Sequence, residues 1–300
     1  MTKQMTMTPR AWTLILILGC IWGGSFLSNR ITLAEVPVMT AVAIRVTGGA
    51  LALWVWVRIA GLRLPDSRWQ IGATLLLGLT NNALPFSLIV WGQQTIDSGL
   101  ASILNAATAV FTVVLVALVY ADEKLTRNRF VGVILGFVGV VTVIGPARLL
   151  SFDPSSMAQV AILGSSTSYA VSAVLARHVL KGLRPEVSAA LMLTGAAMAM
   201  IPLALIYEGP PTLHYSAPVF GALAYLALIA TALAYWLYYQ ILNLAGAGNV
   251  SLVTLLVAPV AIVLGAVVYQ EALDWHAYVG FVLLALGLMV IDGRLPRKKP

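Results

Sequence analysis

The side chains that could do chemistry in this sequence are hydroxyls, amides and aromatic rings set among apolar neighbours. Trp22, Ser25 and Asn29 fall at i, i+3 and i+7, and Ser98, Ser102, Asn105, Thr108 and Thr112 make one stripe. Ser165, Tyr169 and Ser172 make another, followed by Thr231, Tyr235, Tyr238 and Tyr239, then Asn249 and Thr254. On a helix such spacings gather the groups on one face. Groups of these types hydrogen-bond or stack on a small molecule. Catalysis needs more, and it is missing. His178, His214 and His276 have no second ligand at metal spacing, no Ser/His/Asp set can be nominated, and no phosphate-cradling glycine motif occurs. The chain therefore reads as a non-enzyme with no cofactor, no metal and no ATP-driven step.

Two features within apolar runs need a reason. Thr80–Phe86 reads TNNALPF, where Pro85 removes a backbone donor and frees a carbonyl near Asn81 and Asn82. The asparagines either patch that kink or contact a ligand. They point about 100° apart and cannot both perform one local repair. Arg45 lies well inside another run and must find partners there, either carbonyls and helix ends or a substrate carboxylate.

The elements that position these groups follow from composition. With 60% hydrophobic and 10% charged residues, the chain has more apolar surface than one soluble core could hide. Apolar runs recur at about 12–29, 37–57, 69–91, 98–120, 130–146, 157–176, 186–206, 218–240, 249–269 and 276–292. Each approaches the ~20 residues that span a bilayer as a helix. They lack the alternation of barrel strands, and the bilayer demands internal backbone bonding, so the expected fold is an all-α polytopic membrane protein with ten transmembrane helices. Helix 1 reads as retained, with no small-residue cleavage site before it. The single Cys20 excludes a disulfide framework.

If ten helices alternate, fifteen Lys and Arg residues fall in one set of connecting segments. The other set holds only Arg30 and Arg148, which places both termini in the cytoplasm. The net charge of +7 is thus a topological signal; its residues flank spans and do not describe a nucleic-acid surface.

The chain also repeats itself. With a shift of 148, Glu123 matches Glu271, Leu125 matches Leu273, Gly132 matches Gly280 and Gly139 matches Gly287. With a shift of 149, Val119 and Tyr120 fall on Val268 and Tyr269, and Asn82–Phe86 falls on Thr231–Tyr235. A unit of five helices crosses an odd number of times, so residues 1–147 and 148–300 are expected to be two inverted five-helix repeats. Inverted repeats are typical of secondary transporters, whose site lies between the halves near mid-membrane. The polar stripes fall on helices 1, 3 and 4 and their partners 6, 8 and 9. Helices 5 and 10 carry glycines at close-packing spacing and read as scaffold.

These residues resemble a known family. The IWGGSF stretch of helix 1, Arg45 in helix 2, and the duplicated Glu-x-Leu followed by Val-Gly resemble the drug/metabolite transporter superfamily, EamA type. Within it the chain looks closest to bacterial inner-membrane exporters of aromatic and other amino acids. The resemblance implies secondary transport of amino acids and related zwitterionic or cationic metabolites through a central cavity by alternating access in the lipid bilayer; a monomer is one open expectation for the working state. The candidate cavity residues are Trp22, Ser25, Asn81, Asn82, Trp91 and Asn105 from the first half, with Thr108. Tyr169, Thr231, Tyr235 and Tyr239 complete them from the second. A multidrug or nucleotide-sugar carrier and a channel are the alternative readings. One departure is Val110, which stands opposite Pro259 and leaves a symmetric kink in helices 4 and 9 in doubt.

Overall fold

The computed structural model describes residues 7–96, 98–120, 126–145, 150, 152–153, 156–212, 214–269 and 274–292. Among them the chain forms ten long helices: α1 (Pro9–Thr32), α2 (Val38–Ile59), α3 (Arg68–Gly92), α4 (Ser98–Val119), α5 (Arg127–Ile144), α6 (Met157–Val179), α7 (Pro185–Tyr207), α8 (Ala217–Ala245), α9 (Val253–Tyr269) and α10 (Trp275–Asp292), with one further helical turn at Ala247–Val250. Glu123, Leu125, Arg148, Glu271 and Leu273 lie outside the described residues. Seven helices, α1 to α4 and α6 to α8, are long and apolar enough to cross a membrane. Val253–Leu264 in α9 and Trp275–Ile291 in α10 are apolar but shorter.

Local chemistry starts and stops these helices. Thr8 Oγ1 accepts from the Ala11 amide and Pro9 opens α1, where its missing N–H leaves no bond unmade. Ser67 and Thr126 cap α3 and α5 in the same way. Gly246 takes φ 85° just past α8, a left-handed turn that a residue with a Cβ adopts only with strain.

Two helix starts borrow their caps from far along the chain. The Glu208 carboxylate at the end of α7 accepts from the Met39 and Thr40 amides of α2, at 2.9 and 2.7 Å, and from the Thr40 hydroxyl at 2.8 Å. Reciprocally, Glu35 before α2 accepts from the Ser216 amide at the start of α8, at 2.8 Å. The Ser216 hydroxyl and amide hold the Glu35 carboxyl below its ordinary range. Anions at helix N-termini meet free N–H groups there, so both contacts join α1–α2 to α7–α8 at one end of the bundle.

Packing follows a regular scheme. α1 lies on α9 and α6 on α4, while α2 lies on α8 and α7 on α3; α2 with α7, and α5 with α10, are each paired directly. Each of these contacts has a counterpart when helix numbers advance by five. α5 and α10 meet through glycine: a Cβ on Gly132 would come 2.7 Å from the Gly287 carbonyl oxygen, and one on Gly139 would come 3.0 Å from that of Gly280. Backbones this close leave no room for a cavity, so the polar stripes of the other helices meet elsewhere.

Candidate functional site

The site begins with two irregular turns. In α3, residues Leu79–Ala83 form a π-turn, and Pro85 follows it. Because Pro85 has no N–H, the Asn81 carbonyl, four residues earlier, lacks its α-helical donor. Tyr235 of α8 donates its hydroxyl to that carbonyl at 3.0 Å. In α8 a longer π stretch, Tyr225–Leu233, forms with no proline in it. Its Ala230 carbonyl accepts from the Trp22 indole at 3.1 Å and from Arg45 Nη2 at 3.4 Å, while Thr231 Oγ1 accepts from Arg45 Nε at 2.8 Å. Each π-turn thus releases backbone groups that side chains from other helices take up.

Between these turns lies a cavity. Its aromatic wall is a connected cluster: Trp22 meets Tyr235 and Tyr238 at ring distances of 6.2 and 5.8 Å, and Tyr238 meets Tyr239 edge-on at 5.2 Å. The Arg45 guanidinium lies 3.8 Å from the centre of the Phe86 ring, a cation–π contact. About 80 Å³ is open to the centres of water-sized molecules, against roughly 10–15 Å³ for one water. The space holds several waters or one small organic molecule in their place. Ser25, Asn105, Thr108 and Thr112 line it, and each has a buried side-chain oxygen with no hydrogen-bond partner. Buried polar atoms are normally satisfied, so four such oxygens around one cavity mark where a ligand's donors would go.

Trp22, Ser25, Asn81, Asn105, Thr108, Tyr169 and Tyr235 all reach this cavity. Four other candidates do not line it. Thr231 is fully buried behind the wall and holds Arg45. Tyr239 is buried beyond Tyr235, donating its hydroxyl to Met192 Sδ at 2.7 Å. Asn82 is fully buried with both amide atoms unpaired, and neither asparagine amide repairs the kink, because Tyr235 already does. Trp91 is 44% exposed on the outer surface of α3.

Several lining residues fell outside the candidate set. Asn29, Thr112, Tyr238 and Thr254 stand in the polar stripes and were accessible to periodicity alone. Arg45 lines the cavity while also bonding the Ala230 carbonyl. Phe86 carried no polar signal in the sequence. Asn29 Nδ2 donates to Gln93 Oε1 at 2.9 Å and ties α1 to the end of α3.

Comparison with known proteins gives a consistent picture. The model of the EamA-like transporter family matches residues 10–145 and again 156–292. A "Probable terminal-alkyne amino-acid exporter" of Streptantibioticus cattleyicolor is 27% identical, with 97% of this chain and 95% of that protein covered. A "Probable amino-acid metabolite efflux pump" of Salmonella typhimurium is also 27% identical, with 92% and 93% covered. A solved crystal structure at 16% identity superposes with a TM-score of 0.79 over 96% of this chain and 99% of that one, which shows the fold.

Proposed function

The chain belongs to the EamA-like transporter family of the drug/metabolite transporter superfamily, a membrane transporter and not an enzyme, and we propose that it exports amino acids and related small metabolites across the bacterial inner membrane. The observation that carries this reading is the pairing of an aromatic wall with orphaned oxygens around a cavity of small-molecule size. Rings suit an apolar side chain, and unsatisfied acceptors suit an ammonium or hydroxyl. Two relatives named for amino-acid export support the same substrate class.

The mechanism follows from symmetry. Residues 1–147 and 148–300 act as two inverted five-helix halves, with both termini cytoplasmic, and the halves rock about the cavity to expose it to each side in turn. The recurrence of the α1–α9 contact as α6–α4 and of the α2–α8 contact as α7–α3, and the double match of the family model, support this arrangement. The α5–α10 glycine contact serves as a tight joint between the halves. Both halves that enclose the cavity belong to one chain.

Counterflow tests the reading. Purified protein in liposomes preloaded with an unlabelled amino acid should accumulate the labelled one with saturable kinetics. Large unitary currents in a planar bilayer without saturable counterflow would establish a channel instead. Reporter fusions at the C-terminus should be active only when the reporter functions in the cytoplasm.

A further inference from the structure

We propose that Arg45 is a carboxylate anchor, so that the cavity selects molecules with a free carboxylate over their amides, esters and decarboxylated amines. This inference rests on the exporter reading and sharpens it.

Arg45 sits in mid-helix on α2, 5% exposed, and lines the cavity. Guanidinium stays protonated in proteins, so the charge cannot be shed. A guanidinium carries five N–H donors. The protein supplies two acceptors, Thr231 Oγ1 at 2.8 Å and the Ala230 carbonyl at a long 3.4 Å. Among the described residues no carboxylate pairs with it, and none lines the cavity. A buried cation in a membrane protein normally has an anionic partner or a full set of carbonyls. Here both are short, and the open side faces the ligand space. Thr231 and the Phe86 ring hold the planar group at 2.8 and 3.8 Å, which pre-orients its remaining donors for a carboxylate.

The opposite polarity is also present. Asn105, Thr108 and Thr112 stand at i, i+3 and i+7 on α4, each offering an unpaired buried oxygen to the same cavity. These accept from an ammonium. A zwitterion would place its carboxylate on the α2 and α8 side and its ammonium on α4, leaving its side chain to Trp22, Tyr235 and Tyr238. A flat cation without a carboxylate would leave Arg45 unpaired beside a second positive charge, which is unfavourable.

The test uses wild-type protein first. Labelled phenylalanine counterflow is competed with phenylalanine, 3-phenylpropionate, phenylalanine amide and 2-phenylethylamine, and the binding of each to detergent-purified protein is followed by thermal shift. Phenylalanine should compete best and phenylpropionate next, with the amide and amine at least tenfold weaker. Amide or amine within twofold of phenylalanine overturns the anchor while leaving export intact. Failure of every amino acid in counterflow, with phenylpropionate still stabilising the protein over the amide, sinks the exporter reading and keeps the anchor. Stabilisation by none of the four overturns the anchor. Arg45→Lys and Arg45→Gln should both reduce the discrimination between phenylalanine and its amide to less than threefold. Should Arg45→Gln fail to fold, the wild-type order decides alone.

Discussion

The π-turns of α3 and α8 fall at corresponding positions of the two halves but arise from different causes. Leu79–Ala83 is five residues long and precedes Pro85; Tyr225–Leu233 is nine residues long and contains no proline. In α3 the missing donor is covalent, and one tyrosine hydroxyl takes the freed Asn81 carbonyl. In α8 every residue could continue an α-helix, yet the Ala230 carbonyl and Thr231 hydroxyl are drawn to Arg45 and Trp22. A similar backbone irregularity therefore comes once from sequence and once from neighbours. The flanking contacts differ too. Gly78, just before the α3 turn, is pressed against the Met192 carbonyl of α7. In the corresponding α2–α8 contact the small residues are Gly48 and Gly49, facing Ala227 and Thr231.

The largest effect should come from closing the tighter of these contacts. Gly78→Val puts a branched side chain against backbone that cannot move aside, at ~3 kcal/mol or more. Melting in detergent should show little folded protein. Gly49→Ala meets the Thr231 methyl at 2.8 Å and, less tightly, the Ala227 carbonyl oxygen at 3.2 Å, and should lower the melting temperature by less than Gly78→Val. Equal tolerance at both sites would erase the distinction between the two contacts.

Thr231→Val comes next, because it keeps shape but removes the acceptor of Arg45 Nε. A hydrogen bond to a charged group contributes about 1.5–3 kcal/mol. The melting temperature should fall, with substrate affinity falling alongside as the guanidinium loses its orientation.

Tyr235→Phe orphans the Asn81 carbonyl at a cost of about 0.6 kcal/mol, with ~1.7 the upper range for such bonds in membranes. Pro85→Ala returns an N–H four residues after that carbonyl, so it competes with Tyr235 for the same oxygen. The double variant should melt above the sum of the two singles, and strict additivity would show that the proline is not the reason for the tyrosine contact.

Much of the architecture was legible beforehand for local reasons. Apolar runs of spanning length became helices with ends within a few residues of expectation, since backbone bonding and length requirements act along the chain. The break at Pro85 was legible for the same reason. The candidate site was legible in its stripes, which is why Trp22, Ser25, Asn105 and Thr108 converge. It failed where rotation about a helix axis mattered. Trp91 and Asn82 share a helix with Asn81, yet one faces outward and the other is buried away from the cavity. Adjacent positions separate by about 100°, and the rotation that turns Asn81 towards the cavity leaves Asn82 in the packed interior.

By itself the sequence determined that this chain is a helical membrane protein, where its donors and breaks lie, and which helices carry polar groups, because these depend on neighbours within one turn. Only the tertiary structure decided which faces meet, that Arg45 would reach partners 185 and 186 residues away, and that α8 would form a π-turn without a proline. The physical reason is the solvent: lipid tails are as apolar as leucine, so an apolar face gains little by turning inward. Helix rotation is then set by packing and by distant hydrogen-bond partners.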